Sequence, residues 1–184
     1  MTAYAVLLRG INVGGKNKVL MGELKKRLDA HGFDAVATYA QSGNVILRSE
    51  LSAEAVAESI EQLLPAAFQL GSTVVKVIAL SQAKLRAVVD DRPKGFGDQP
   101  QKYHSDAIFL MGIDIDQALT AFDPREGVDT IWPGDGVIYS QRLSAMRTKT
   151  RLNKMMTSPL YKSMTIRSWS TTLGLLDFLG ERDR

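Results

Sequence analysis

The sequence predicts an α+β chain built as two tandem β-α-β-β-α-β units, each an antiparallel sheet with helices packed on one face. Three observations carry this. Segments with strand and helix spacing follow in that order between residues 4 and 80. The same order recurs between residues 107 and 167, followed by a helical tail over 169–179. The middle strands of each set are joined by a turn signal, Ser42-Gly43-Asn44 in the first and Pro133-Gly134-Asp135-Gly136 in the second. This order is that of the ferredoxin-like split unit. A chain of 184 residues with 45% hydrophobic content can bury two such cores.

Residues 4–9 are almost continuously apolar, as expected of a central strand covered on both faces. Leu20, Leu24 and Leu28 then recur at helical spacing, with Lys25, Lys26 and Arg27 on the solvent side and Gly32 as the stop. Strands follow at 35–41 and 45–48. Ser52 is placed to cap a helix whose apolar line is Val56, Ile60, Leu63, Leu64 and Ala67. Pro65 should kink that helix or split off its last turn. A fourth strand runs over 73–80, and Ser81 caps a connecting helix with Leu85, Val88 and Val89 inward.

The polar Gly- and Pro-containing stretch 92–104 is the expected domain boundary, giving an N-terminal unit of 1–92 and a C-terminal unit of 105–184. In the latter a strand at 107–111 leads to a helix over 115–122 capped by Asp114. A hairpin of 129–132 with 137–141, a short helix near 152–156, an edge strand near 164–167 and a helical tail over 169–179 complete it.

Composition bounds the function. There is no cysteine, which excludes disulfides and thiolate metal sites and fits a reducing cytoplasm. The chain opens directly into a strand, without the basic and apolar regions of a signal peptide, so a cytoplasmic protein is expected. No apolar run nears the roughly 18 residues of a membrane span. The net charge of +3 is unevenly distributed: residues 1–22 hold no acid and carry +3, residues 136–176 hold none and carry +7, and the remainder carries −7. Such segregation points to a basic patch with an anionic partner.

Gly10-Ile11-Asn12-Val13-Gly14-Gly15-Lys16-Asn17 follows the first strand and nearly meets the phosphate-loop pattern. Asn17 stands where that motif needs a hydroxyl for Mg²⁺, and the next helix opens too late. A general anion nest, in which Gly14 and Gly15 let N–H groups converge beside Arg9, Asn12 and Lys16, competes with a merely structural turn. Tyr39-Ala40-Gln41-Ser42-Gly43-Asn44 satisfies hairpin geometry. Beside Arg9 and Asn12, however, Gln41, Ser42 and Asn44 could read a sugar or base edge. A third cluster runs from Arg142 through Arg147, Lys149, Arg151 and Lys154, with Arg167 and Trp169 beyond it. Interleaved hydroxyls and cations suit phosphate contact, while Trp169 serves either as a stacking platform or as core. His31 and His104 are isolated, no spacing marks a metal site, and no cofactor is implied.

The strings LLRGINVGGKNKV and YAQSGNVIL, with Lys154 and Thr165-Ile166-Arg167-Ser168-Trp169-Ser170-Thr171, resemble the bacterial family catalogued as domain of unknown function 1697. Ser168 and Ser170 stand where that family usually shows Asn. The resemblance implies two ferredoxin-like halves and brings no established activity or site residue. The expected function is thus binding of an anionic, phosphorylated ligand, either a nucleotide or a nucleic acid, with no membrane partner. An enzyme acting on a phosphorylated or nucleotide substrate and a protein-interaction module are the alternatives. Oligomeric state stays open.

Overall fold

The computed structural model describes residues 1–40, 43–71 and 75–182. Two four-stranded antiparallel sheets are present. Contacts group Met1–Arg86 and the stretch from Gly174 on into one unit, and Ala87–Leu173 into the other.

The first unit contains β1 (Thr2–Arg9), α1 (Met21–Ala30), β2 (Asp34–Thr38), β3 (Asn44–Ser49), α2 (Ala53–Ala67) and β4 (Lys76–Ser81). Its strand order is β2-β3-β1-β4, which puts β1 inside the sheet as its apolar run predicts. On one face Tyr4, Val6 and Leu8 pack with Val45, Leu47, Val77 and the inward lines Leu24–Leu28 of α1 and Val56–Ile60–Leu64 of α2. On the other face Ala5 and Leu7 are equally buried. Ser52 caps α2, its Oγ accepting from the Ala55 N–H at 3.2 Å.

Three local expectations change. Leu20 is 73% exposed because it stands at the cap position before α1, off the buried line of Leu24 and Leu28. The helix α2 continues through Pro65 to Ala67 without splitting, since a proline so near the C-terminus removes only one late hydrogen bond. Residue Ala35 adopts a positive φ of 50° and breaks the β2–β3 register, and β2 ends at Thr38, ahead of Ala40 with a positive φ of 56°, short of the expected 35–41. Part of that expectation, and residues 73 and 74 of the expected fourth strand, lie outside the described residues.

The connecting helix α3 (Gln82–Asp90) opens with the Lys84 N–H donating to Ser81 Oγ at 3.1 Å. In the second unit, β5 (Tyr103–Leu110), α4 (Ile115–Leu119), β6 (Asp129–Pro133), β7 (Val137–Leu143) and β8 (Met164–Ser168) repeat the order as β6-β7-β5-β8. Asp114 and Gln117 form a reciprocal capping box on α4. That helix ends earlier than 122 because Thr120, Ala121 and Phe122 tighten into three-residue turns ahead of Pro124. The expected helix near 152–156 is a 3-10 turn, Leu152–Thr157, one of three such turns between β7 and β8. Ile108, Leu110, Ile138, Met155 and Met164 form the core of one sheet face. On the opposite face Tyr139, with its hydroxyl pushed up to about 12 by burial, donates to the Val88 carbonyl at 2.6 Å. The helix α5 (Trp169–Arg182) ends the fold.

Candidate functional site

In the first unit the glycine loop leaves β1 and folds on itself. Gly14 and Gly15, with φ of 58° and 75°, occupy the two centres of a turn that the Lys16 N–H closes on the Val13 carbonyl at 3.0 Å. Both centres need positive φ, which is why this position holds two glycines. A Cβ built on either would meet nothing within 4 Å, so the turn is an exposed ridge.

Two asparagines brace it. The Asn12 side chain takes the Val19 N–H at 2.8 Å and returns its own amide to the Val19 carbonyl at 2.9 Å. Asn17, buried despite a φ of 48°, donates to the Gly10 carbonyl at 2.8 Å and accepts from the Gly71 N–H at 2.7 Å. The Asn12 N–H meets the Asn17 carbonyl at 3.0 Å. The converging N–H groups expected here are therefore partly spent: those of Asn12, Lys16 and Val19 are satisfied inside the loop. What the loop offers outward is its side-chain cations, Lys16 and Lys18, both exposed. Since α1 begins only at Met21, Lys16 is not at a helix opening, as a phosphate loop would require.

Asn44 is fully buried and donates to the Tyr39 carbonyl at 3.1 Å, while the Tyr39 N–H meets the Asn44 carbonyl at 3.0 Å. Its amide thus holds the Tyr39 backbone against the start of β3. Gln41 and Ser42, expected beside it, lie outside the described residues. Arg9, partly buried, pairs in register with Lys76 at the end of β1.

In the second unit the basic segment divides into two groups. Arg147 and Lys149 are exposed on the 3-10 turn Ser144–Lys149. Arg151 and Lys154 instead reach Asp123, at 3.4 and 2.8 Å, and Lys154 above all holds that carboxyl below its ordinary range. Asp129, buried, accepts from the backbone N–H groups of Arg125 and Arg151 at 2.9 and 2.8 Å and anchors the segment.

Arg167 and Trp169 are interior residues. Arg167 donates to Thr165 Oγ1 at 2.9 Å and to the Ile166 carbonyl at 2.8 Å, and burial lowers its guanidinium to about 10. Trp169 packs edge-on against Phe96, with ring centroids 5.0 Å apart. Its core role prevails over a fully exposed stacking platform.

Two cavities escaped the sequence. One, of about 270 Å³ in the first unit, has His31 Nε2 at 2.8 Å from Ser59 Oγ. His31 has no carboxylate partner among the described residues, so the pair lacks the third group that orients a catalytic histidine. The other, of about 300 Å³ in the second unit, is lined by Tyr103, His104, Ser105, Ser168, Trp169 and Ser170. Its only advance signal is the run of polar and aromatic residues following the Gly- and Pro-containing loop. Among the described residues no group of three His, Asp or Glu could hold a metal, and no helix is long and apolar enough to cross a membrane.

None of the curated proteins compared with the chain matches it. Among solved structures, a conserved bacterial protein, SP0830 of Streptococcus pneumoniae, is similar over 97% of this chain and 98% of its own, with a TM-score of 0.83 and 28% identity. The model of the family described as protein of unknown function (DUF1697) matches residues 1–139. The chain belongs to that family.

Proposed function

We propose that this protein binds a phosphorylated polyanion, a single nucleic-acid strand in preference to a small nucleotide, in the cytoplasm. The observation that carries the proposal is the set of exposed cations Lys16, Lys18, Arg147 and Lys149, none of which has an ion pair among the described residues. Neighbouring Arg151 and Lys154, by contrast, share the carboxylate of Asp123. An extended strand is favoured because these cations stand on projecting turns and not around an N–H cradle: a strand brings many phosphates to a surface, whereas a lone nucleotide needs a concave pocket. The bracing of the glycine loop by Asn12 and Asn17 fixes its shape before binding, which limits the ordering cost.

The test is polarisation of a labelled single-stranded oligonucleotide, DNA and RNA in turn, across a salt series. Each unit offers two of these cations, and two phosphate contacts correspond to a log–log slope of about 1.4, at roughly 0.7 for each contact on a single strand. Binding that ignores salt, or the absence of binding to either strand, defeats the proposal. Release of a nucleotide product in the same mixtures would favour the enzyme alternative.

A further inference from the structure

We infer that the cavity in the second unit is a pocket for one planar heteroaromatic ring with a hydrogen-bonding edge, of the nucleobase class. It arises from unequal strand lengths. Along β5, β7 pairs with every residue from Tyr103 to Phe109, whereas β8 pairs only with Asp106 to Leu110. At Ser168 the chain turns into α5, and the uncovered segment Tyr103–Ser105 becomes one wall of the space.

The other walls are rigid. Gly97 lies so close to the Trp169 indole that a Cβ there would fall 2.4 Å from Cδ1. The Gly97 N–H and the Ser105 hydroxyl both donate to Gln141 Oε1, at 3.3 and 2.9 Å, which ties the loop to the sheet. A volume of about 300 Å³ lies at the small end of ligand pockets, enough for one ring system. Trp169, Tyr103 and the 37%-exposed Leu173 supply apolar contact.

The polar groups set the edge pattern. His104, whose Nε2 lies 3.1 Å from Asp106 Oδ1, lines the space together with Ser168 and Ser170. Ser170, in contact with Ser168 at 3.1 Å, adds a hydroxyl that both donates and accepts. Serine hydroxyls, which both donate and accept, beside His104 match a ring edge carrying N–H next to C=O or ring nitrogen. Purines and pyrimidines have such an edge, and hydrocarbon rings do not. The choice of a nucleobase over other heteroaromatic rings rests on the strand binding proposed above. It is supported by the start of the basic turn, where the Ser144 N–H donates to the carbonyl of Lys102, next to Tyr103, at 3.0 Å.

The experiment uses uncharged nucleosides, so that it does not depend on the cations. In the full chain carrying Trp132→Phe, Trp169 is the sole tryptophan, and its fluorescence is followed during titration with adenosine, guanosine, cytidine and uridine. Saturable quenching by at least one nucleoside is expected, with benzene a poor competitor. Ser170→Tyr, at an exposed position, should weaken binding at least tenfold by filling the mouth. His104→Leu should weaken it similarly, and His104→Gln, which keeps a donor and an acceptor, should recover most of it. No saturable quenching, full competition by benzene, or Ser170→Tyr binding as the parent does would each overturn the inference. Strand binding with a normal salt slope but no nucleoside response would sink the pocket and leave the proposed function intact. Nucleoside quenching without strand binding would do the reverse.

Discussion

Replacing Asn17 by alanine tests whether the glycine loop is held by its own side chains. The substitution removes the donor to the Gly10 carbonyl and the acceptor for the Gly71 N–H, at 2.8 and 2.7 Å. Each intramolecular hydrogen bond is worth about 0.5–1.5 kcal/mol net. Alanine must also hold the φ of 48° that asparagine tolerates, at a further cost of about 1–2 kcal/mol. The expected loss is therefore about 2–5 kcal/mol. Asn17→Gly loses the same two bonds but relieves the dihedral, so it should be less destabilising than Asn17→Ala by about 1 kcal/mol. Urea denaturation followed by far-UV circular dichroism is the suitable assay, because Trp132 and Trp169 both belong to the second unit and would not report on this loop. A loss below about 0.5 kcal/mol for Asn17→Ala, within the usual range for unconstrained surface positions, would show that the loop is not braced. Glycine proving worse than alanine would refute the dihedral component.

Other consequences follow from single contacts. Gly97→Ala sets a methyl group 2.4 Å from the Trp169 ring at a φ of 78°, and should destabilise by about 2–4 kcal/mol with a shifted tryptophan emission. Gly14→Ala, where the added carbon meets nothing within 4 Å, should cost only the dihedral strain of about 1–2 kcal/mol. Asp123→Ala should release Arg151 and Lys154, leave thermal stability nearly unchanged, and steepen the salt slope of strand binding by up to about 1.4, the worth of two single-strand phosphate contacts. An unchanged slope would mean that these two cations stand away from the bound strand.

The topology was legible because it rests on local regularities. Leu24 and Leu28, the cap at Ser52, the capping box of Asp114 and the hairpin glycines each declare an element within a few residues. Their order then leaves few ways to arrange the sheets. The site residues were less legible for a physical reason. An asparagine in a glycine turn has the same sequence appearance whether its amide faces a ligand or its own backbone, and Asn12, Asn17 and Asn44 all face backbone. Arg167 reads as a surface group from its cationic and hydroxylic neighbours and Trp169 leaves two roles open, whereas strand alternation turns Arg167 inward and the Phe96–Tyr139 cluster receives the indole. Likewise, the division of the basic segment depends on Asp123, which is 28 residues from Arg151 and 31 from Lys154. The cavity depends on where β8 stops against β5, a register that no local pattern encodes.

The most direct test of the central claim compares the salt dependence of single-strand binding in the parent protein with that of Lys16→Ala, Lys18→Ala, Arg147→Ala and Lys149→Ala combined. All four positions are exposed, so the combined variant should melt as the parent does. The account predicts a slope reduced by at least about 1.4, the two contacts of either unit at roughly 0.7 each, with binding nearly abolished at the higher salt concentrations. A folded variant that binds with the parent's affinity and slope would contradict it.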